Sequence, residues 1–493
     1  MLGASCQASE DTARTCQSAL STCRHVPAEL LEIIFSALCL SLHEYSLQIK
    51  HDDEEKTPTI STPTLALSQV CSRWRAIARA SPRLWSSISV EITELPLGID
   101  AVLELYFTYA DSHPLNFRIV RVYDTLAPQL SLGDRAIWRV ISTRITRCKS
   151  LTLGVSHLDL PEITNLSFPH LESFLQESAI RGTGDDEVMW LWRAIGEAPR
   201  LTKAGVWNVN RMLPYSQLTS LSLHFPMAEQ VLLLFEVLPT CTRLVDLSLR
   251  CVDLDIDPSA FEPVEVPASF RKLSIHHKGY FSFRSRGSIL STIFHNLRMP
   301  SLVSFEMECL VWPPSIQVLA EHSPLIQRVD LTLCASDKYD LTPYPPVQFL
   351  RSMPNVTYLD LSTQLADSSS VEDEDEGEDE EEKHRSLSFG DRLLSTVLFS
   401  FAAESTFFPK LEVLSLRLSD VSLDSETVEK VLAAVSARYS SFGCHPLKEI
   451  RVSPCPRDAS NANRPQLESV VGSGIDQRLQ EAAGKIGVKL VML

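Results

Sequence analysis

The sequence predicts an α/β protein: a short helical N-terminal module, then a long curved solenoid of alternating strands and helices. Three observations carry this expectation. A strand-like spacing of apolar residues recurs eight times after residue 200. Amphipathic stretches with helical spacing lie between the copies. The first ninety residues follow a different, helical rhythm.

The recurring spacing is an apolar residue, another three positions on and a third two beyond that. It begins with Leu218, Leu221 and Leu223, then Leu244, Leu247 and Leu249, then Phe270, Leu273 and Ile275. Leu302, Phe305 and Met307 follow, then Ile326, Val329 and Leu331, then Val356, Leu359 and Leu361. Leu411, Leu414 and Leu416 precede the last clear copy, Leu447, Ile450 and Val452. Weaker copies start at Cys148, Leu171 and Leu201. This is the L-x-x-L-x-L core of a leucine-rich repeat. Its last two positions alternate, as residues facing one side of a strand must. Successive clear starts from 218 to 356 are 24 to 32 residues apart. Pro often precedes the strand, as in MPSLVSF, MPNVTYL and FPKLEVL, which predicts a firm turn at each helix-to-strand connection. Val428, Val431, Leu432 and Val435 predict one intervening helix, and Leu393, Val397, Leu398 and Phe401 another. The solenoid is expected over 98–493, ending in a helix and a closing strand in QRLQEAAGKIGVKLVML.

Residues 1–23 are small and polar and are expected to be a loose tail. A helical module is expected over 24–90. Its first helix lies in VPAELLEIIFSALCLSL, with Pro27 in the first turn and Leu30, Ile33, Ile34, Ala37 and Leu38 as its apolar stripe. The stretch 43–63, with DDEE at 52–55, reads as a solvated loop insertion. A second helix is expected in LALSQVCSRWRAIARASPRLW, with Leu67, Val70, Cys71 and Trp74 on one stripe and Ser81-Pro82 as its stop.

This module resembles the F-box. Val26-Pro27 stands where the family has Leu-Pro, and Leu30, Leu31, Ile34 and Phe35 match its following apolar set. Val70, Cys71, Trp74 and Arg75 match its Val-Cys-x-x-Trp-Arg signature. The trailing SPRLW and the block at 101–120 resemble the continuation in many fungal F-box proteins. The insertion between the halves is a longer loop, and a longer loop adds little closure entropy. The resemblance implies a substrate receptor of a cullin–RING (SCF-type) ubiquitin ligase. Those matched residues would then dock the adaptor subunit, and the repeats would hold a target protein. Some of the matched residues are expected to be internal core. The alternative is a non-ligase leucine-rich scaffold whose F-box-like hairpin only caps the solenoid.

Composition bounds these readings. At 493 residues the chain exceeds one compact core. Its formal charge of −17 comes mostly from EDEDEGEDEEE at 372–382, within an acidic insertion expected to be disordered over 366–385. The sharper reading of that run is attraction of basic partners. No basic footprint for nucleic acid is present, and no run reaches the ~20 apolar residues of a membrane span. Twelve cysteines without a Cys-x-x-Cys pair fit reduced thiols in the cytoplasm or nucleus. No cofactor is implied, and no catalytic signature such as G-x-S-x-G or H-E-x-x-H occurs. The expectation is a non-catalytic receptor. His276 and His277 are adjacent in a strand and should face opposite ways, whereas Glu306 and Glu308 should share a face. Trp190, Trp192, Trp207 and Trp312 are candidates for a binding face, with burial the commoner role.

Overall fold

The structure is a computed structural model. It describes residues 26–41, 45–51, 58–92, 95, 97–121, 131–154, 163, 165–177, 189–225, 229–251, 261–277, 289–309, 312–313, 315–335, 344–365, 389–418, 425–442, 447–454, 480–481, 483–485 and 487–492. The expected tail at 1–23 and the acidic insertion at 366–385 lie outside them. Two compact units divide the chain, one comprising residues up to Trp207 plus Met212–Pro214, the other Asn208–Arg211 plus Tyr215 onward.

The second unit shows why the repeat spacing matters. Its strands are β8 (Ser220–Phe225), β9 (Asp246–Cys251), β11 (Lys272–His277), β13 (Ser304–Cys309), β14 (Arg328–Ala335), β15 (Tyr358–Leu365), β16 (Val413–Leu418), β17 (Glu449–Pro454) and β18 (Lys489–Met492). They pair in that order, all parallel. The register places Leu221, Leu247, Leu273, Phe305, Val329, Leu359, Leu414 and Ile450 in one row, and each is almost fully buried. Leu223, Leu249, Ile275, Met307, Leu331, Leu361, Leu416 and Val452 form a second buried row beside it. Each such side chain contributes roughly 1.5–3 kcal/mol on burial. A short separate pair, β10 (Val264–Glu265) and β12 (Leu297–Arg298), lies outside the main ladder.

The first leucine of each copy sits in a turn. In Met299-Pro300-Ser301-Leu302 the Leu302 N–H donates to the Met299 carbonyl at 3.1 Å. The same bond closes Phe408-Pro409-Lys410-Leu411 at 3.2 Å and Met353-Pro354-Asn355-Val356 at 3.4 Å. Proline at the second turn position supplies the required φ. One carbonyl of the preceding repeat then accepts two N–H groups of the next. Val245 O takes Arg271 and Lys272, Val303 O takes Gln327 and Arg328, and Gln327 O takes Thr357 and Tyr358. The chain thus enters every strand at the same height.

Helices cover the buried rows. They are α7 (Glu229–Val237), α8 (Ile289–Asn296), α9 (Ile316–His322), α10 (Tyr344–Arg351), α11 (Phe389–Ala403) and α12 (Ser425–Phe442), counting on from six in the first unit. Leu393, Val397, Leu398 and Phe401 of α11 are buried, as are Val431, Leu432 and Val435 of α12. The Val428 side chain lies outside the described residues. The fold is that of a leucine-rich-repeat protein.

The first unit contains α1 (Ala28–Ser36), β1 (Leu47–His51), β2 (Pro58–Ser61), α2 (Pro63–Val70), α3 (Ser72–Ala80), β3 (Ser87–Glu91) and α4 (Ile99–Ala110). Then come β4 (Leu115–Val120), α5 (Leu132–Ser142), β5 (Cys148–Gly154), β6 (Ser173–Gln176), α6 (Met189–Gly196) and β7 (Lys203–Val206). Its strands run in the order β2-β1-β3-β4-β5-β6-β7. The pairs are parallel except the β1–β2 hairpin.

Two boundaries differ from expectation. The stretch 43–63 is not simply a solvated loop. Residues 47–51 and 58–61 are strands, and Leu47 and Ile49 are fully buried beside β3. The charged residues that suggested solvent, 52–55, lie outside the described residues. Nor does the helical module end at 90. β3 pairs with β4 from Ser87–Asn116 to Glu91–Val120. The edge of β3 is therefore satisfied by the chain expected to begin a new domain, and the Ile92 N–H donates on to the Val120 carbonyl at 2.7 Å.

Candidate functional site

Two surfaces concentrate the chemistry. The first is built by α1, α2 and α3. Pro27 caps α1 from just outside it, exposed, with its carbonyl accepting from the Leu31 N–H at 3.1 Å. Leu31 and Phe35 face inward at 3% and 0% exposure, and Cys39 follows them in the next turn. These positions are four apart, so they make one face. The expected apolar stripe is the other face. Leu30, Ile33, Ile34 and Leu38 are 51%, 63%, 45% and 37% exposed.

The second predicted helix is two. Cys71 is extended, at φ −157° and ψ 169°, and separates α2 from α3. Its Sγ accepts the Trp74 N–H at 3.4 Å, capping α3. The expected stripe of Leu67, Val70, Cys71 and Trp74 is therefore broken, because a capping residue cannot continue a helix. Val70 is 51% exposed. Trp74 is half-buried and packs on Phe35, ring centres 4.9 Å apart. Arg75 is exposed, but its Nε donates to Ser68 O at 3.0 Å across the break. Arg73 Nη2 donates to Val26 O at 2.5 Å, fixing the start of α1, with Val26 half-buried. The SPRLW segment anchors the module: Trp85 is buried, donates Nε1 to Ala78 O at 2.7 Å, and packs on Tyr106 and Tyr109.

The matched residues thus divide. Leu31, Phe35 and Trp74 hold the module together, and Cys71 and Arg75 shape its helix break. Pro27, Leu30, Ile34 and Val70 present themselves to solvent. Ile33 is exposed on the same helix as Leu30 and Ile34, and Leu38 in the π-helical turn Ala37–Ser41 that follows it; the signal that finds them is their spacing from Leu30, already visible in the stripe.

The second surface is the outward face of the parallel strands in the second unit. Alternation turns Lys272, Ser274 and His276 outward, and beside them Glu306 and Glu308, then Arg328 and Asp330, then Tyr358 and Asp360. Lys272 Nζ lies 3.1 Å from Glu306, and Ser274 Oγ donates to the same carboxylate at 2.9 Å. His276 Nδ1 lies 3.0 Å from Glu308. Arg328 Nε meets Asp330 at 2.7 Å and stacks on Tyr358, 3.9 Å from the ring centre. Arg417 pairs with the buried Asp360. A hollow of about 470 Å³ opens over Lys272, Glu306, Arg328, Asp330, Asp360 and Arg417. Burial pushes the Asp330 carboxyl up, with Asp360 and Glu306 adding to the rise against the pull of Arg328. Burial also acts on Glu306, but its bonds to Lys272 and Ser274 outweigh it and hold that group low.

His276 and His277 do face opposite ways: the first meets Glu308, the second is buried. Glu306 and Glu308 share the outward face, each with its own cationic or imidazole partner. Of the tryptophans, Trp192 is buried against Phe174, and Trp190, Trp207 and Trp312 are half-buried, the last beside Phe349. Cys39, Cys71, Cys148, Cys241, Cys251 and Cys309 are free thiols. Burial pushes Cys148 and Cys241 up to about 12, far from a reactive thiolate. Among the described residues no group of three His, Cys, Asp or Glu side chains is placed to hold a metal ion. No helix among them is long and apolar enough to cross a membrane.

No protein-family profile matches the chain, and no curated protein matches it. Solved structures do. A leucine-rich repeat-containing protein, LegL7 from Legionella pneumophila, is similar at 13% identity, over 82% of this chain and 90% of that one, with a TM-score of 0.33. A Bacteroides fragilis protein is similar at 15% identity with a TM-score of 0.31; the match covers 57% of this chain and 66% of that protein's length.

Proposed function

We propose that the protein is the substrate-recognition subunit of a cullin–RING ubiquitin ligase of the SCF type, working in the cytoplasm or nucleus. The outward face of α1 docks the ligase's adaptor subunit. The outward strand face of the repeats holds a target protein. The protein supplies no nucleophile or general acid of its own; it acts by proximity, presenting the target to a thioester carried by another subunit.

The observation that carries this reading is the exposed set Leu30, Ile33, Ile34 and Leu38. A solitary exposed leucine needs no explanation, but a whole helix face of them marks an interaction surface. Here that face follows Val26-Pro27 and accompanies the Val-Cys-x-x-Trp-Arg string whose resemblance is to an adaptor-docking module. The outward strand face is rich in charged and aromatic groups already fixed by neighbours, an arrangement suited to protein recognition.

A second reading has its own support. The β1–β2 hairpin covers the edge of β3 with an antiparallel pair, as a cap on a repeat array does. The module would then be a cap only, and the protein a scaffold outside any ligase.

Binding of the full chain to purified adaptor separates the two. The variant of choice is Ile33→Asp with Ile34→Asp, since both side chains are exposed. Trp74 is unsuitable because it packs on Phe35. The ligase reading expects binding by the wild type and at least a tenfold loss in the double variant, at an unchanged melting temperature. A folded wild type that ignores the adaptor, or a double variant that binds equally well, leaves the scaffold.

A further inference from the structure

In the first unit a hollow of about 540 Å³ opens where β3, β4 and β5 begin. Arg83, Ser86, His113, Asn116 and Lys149 line its polar side, and Leu40 and Pro114 its apolar side. We propose that this hollow binds a dianionic phosphate group, held by Arg83, Asn116 and Lys149. It is independent of the α1 face and of the reading given to that face.

The backbone delivers these side chains by an irregularity. Leu115 pairs with Cys148 and Asn116 with Ser150, so Lys149 is an extra residue on β5 without a partner on β4. A bulge of this kind re-aims a side chain out of the ladder. Asn116 stands opposite Ser87 in the register. The loop bearing His113 is tied down by Arg147, whose Nη2 donates to the carbonyls of His113 at 2.9 Å and Ala110 at 3.4 Å.

The donors are unspent. Among the described residues the guanidinium of Arg83 and the side-chain carboxamide of Asn116 make no hydrogen bond or ion pair, while the Asn116 backbone N–H donates to Ser86 O at 2.9 Å. Lys149 meets only Glu172, at 3.3 Å, and both are about half exposed. Such a pair is weak and salt-screened, so an incoming dianion displaces it readily. Three cationic side chains bear on the hollow's histidine. Burial holds the His113 imidazole below its usual range, and the charges acting on it are Arg83, Arg147 and Lys149. Asp111 bears on Arg147 from outside the hollow.

The guanidinium fork and an ammonium together suit a tetrahedral oxyanion with two charges better than a single carboxylate. The volume is that of a pocket for an organic ligand rather than a bare ion. A phosphorylated side chain and free inorganic phosphate share the recognised chemistry, and the test separates them.

The probes are inorganic phosphate and O-phospho-L-serine, titrated into the full chain at constant ionic strength and about pH 7.5, where the phosphate monoester is dianionic. The readout is the imidazole resonance of His113, identified with His113→Gln. Saturable movement of that resonance is expected, with a rise in its titration midpoint as the dianion favours the imidazolium. Arg83→Gln with Lys149→Gln should weaken binding at least tenfold, whereas Arg135→Gln on α5 should not. Each single substitution should show a part of the loss; both side chains are exposed, so neither supports the core. Tighter binding of phosphoserine points to an esterified source and tighter binding of phosphate to the free anion. A shift no larger than sodium chloride produces, or one that persists in the double variant, overturns the proposal.

Discussion

Phe35 and Ile34 are neighbours in the chain with opposite work. Phe35 is fully buried against Trp74, and Ile34 is 45% exposed. Phe35→Ala should therefore destabilise the first unit by about 3–5 kcal/mol, while Ile34→Ala should change stability by less than about 0.5 kcal/mol. Denaturant titrations of the two variants check this directly. Asp134 is a second residue whose role is concentrated. Its carboxylate accepts the Ser131 N–H at 3.0 Å and the Leu95 N–H at 3.1 Å, and Ser131 Oγ accepts the Asp134 N–H at 3.0 Å. Replacing it by Ala removes both bonds that the buried carboxylate accepts, leaves the Asp134 N–H on Ser131 Oγ, and should lower stability by about 1–3 kcal/mol. Gly196 gives a steric test. A Cβ there would meet the Met212 carbonyl oxygen at 2.3 Å, and backbone cannot step aside cheaply. Gly196→Ala should lower the melting temperature measurably, against about 1–3 kcal/mol for overpacking generally.

At the scale of elements, the sequence read cleanly where period and burial agree. The strands of the main ladder from β8 to β17, β10 and β12 excepted, begin where the repeat spacing places them, because their inward residues alternate and every repeat meets the same neighbours. The N-terminal elements read less cleanly, for identifiable reasons. On α1 both faces carry apolar residues, so periodicity found the outward stripe at Leu30, Ile33 and Ile34 and not the inward one at Leu31 and Phe35. At Cys71 a sulfur cap interrupts what propensity presents as one helix. A hydroxyl caps better than a thiol, so Cys71→Ser should keep or raise stability by a few tenths of a kcal/mol, whereas Cys71→Ala should lower it by about 0.5–1 kcal/mol. At 47–51 a buried strand is short enough, and close enough to charged residues, to be hidden in a loop-like composition. The phosphate hollow was invisible for another reason. Arg83, Asn116 and Lys149 are far apart in sequence and are joined only by strand pairing and a bulge.

For the molecule as a whole, part of the response to acid should run through His224. Burial, aided by Arg250, pushes His224 down to about 4. Its ordinary value is about 6.5, so between about pH 4 and 6.5 the unfolded chain binds more protons than the folded one. Stability therefore rises with pH across that window and falls on acidification. Melting temperatures of wild type and His224→Gln should converge toward pH 4 relative to their separation at pH 7, where the wild-type imidazole is neutral in both states. The proposed docking of a ligase adaptor rests on one helix face, that of α1. Hydrogen–deuterium exchange of the full chain, with and without the purified adaptor, tests it most directly. Docking through α1 should add protection in the peptide spanning α1 and in the peptides of α2 and α3, with the repeat strands of the second unit unchanged. No protection anywhere, or protection confined to the repeats, would contradict it.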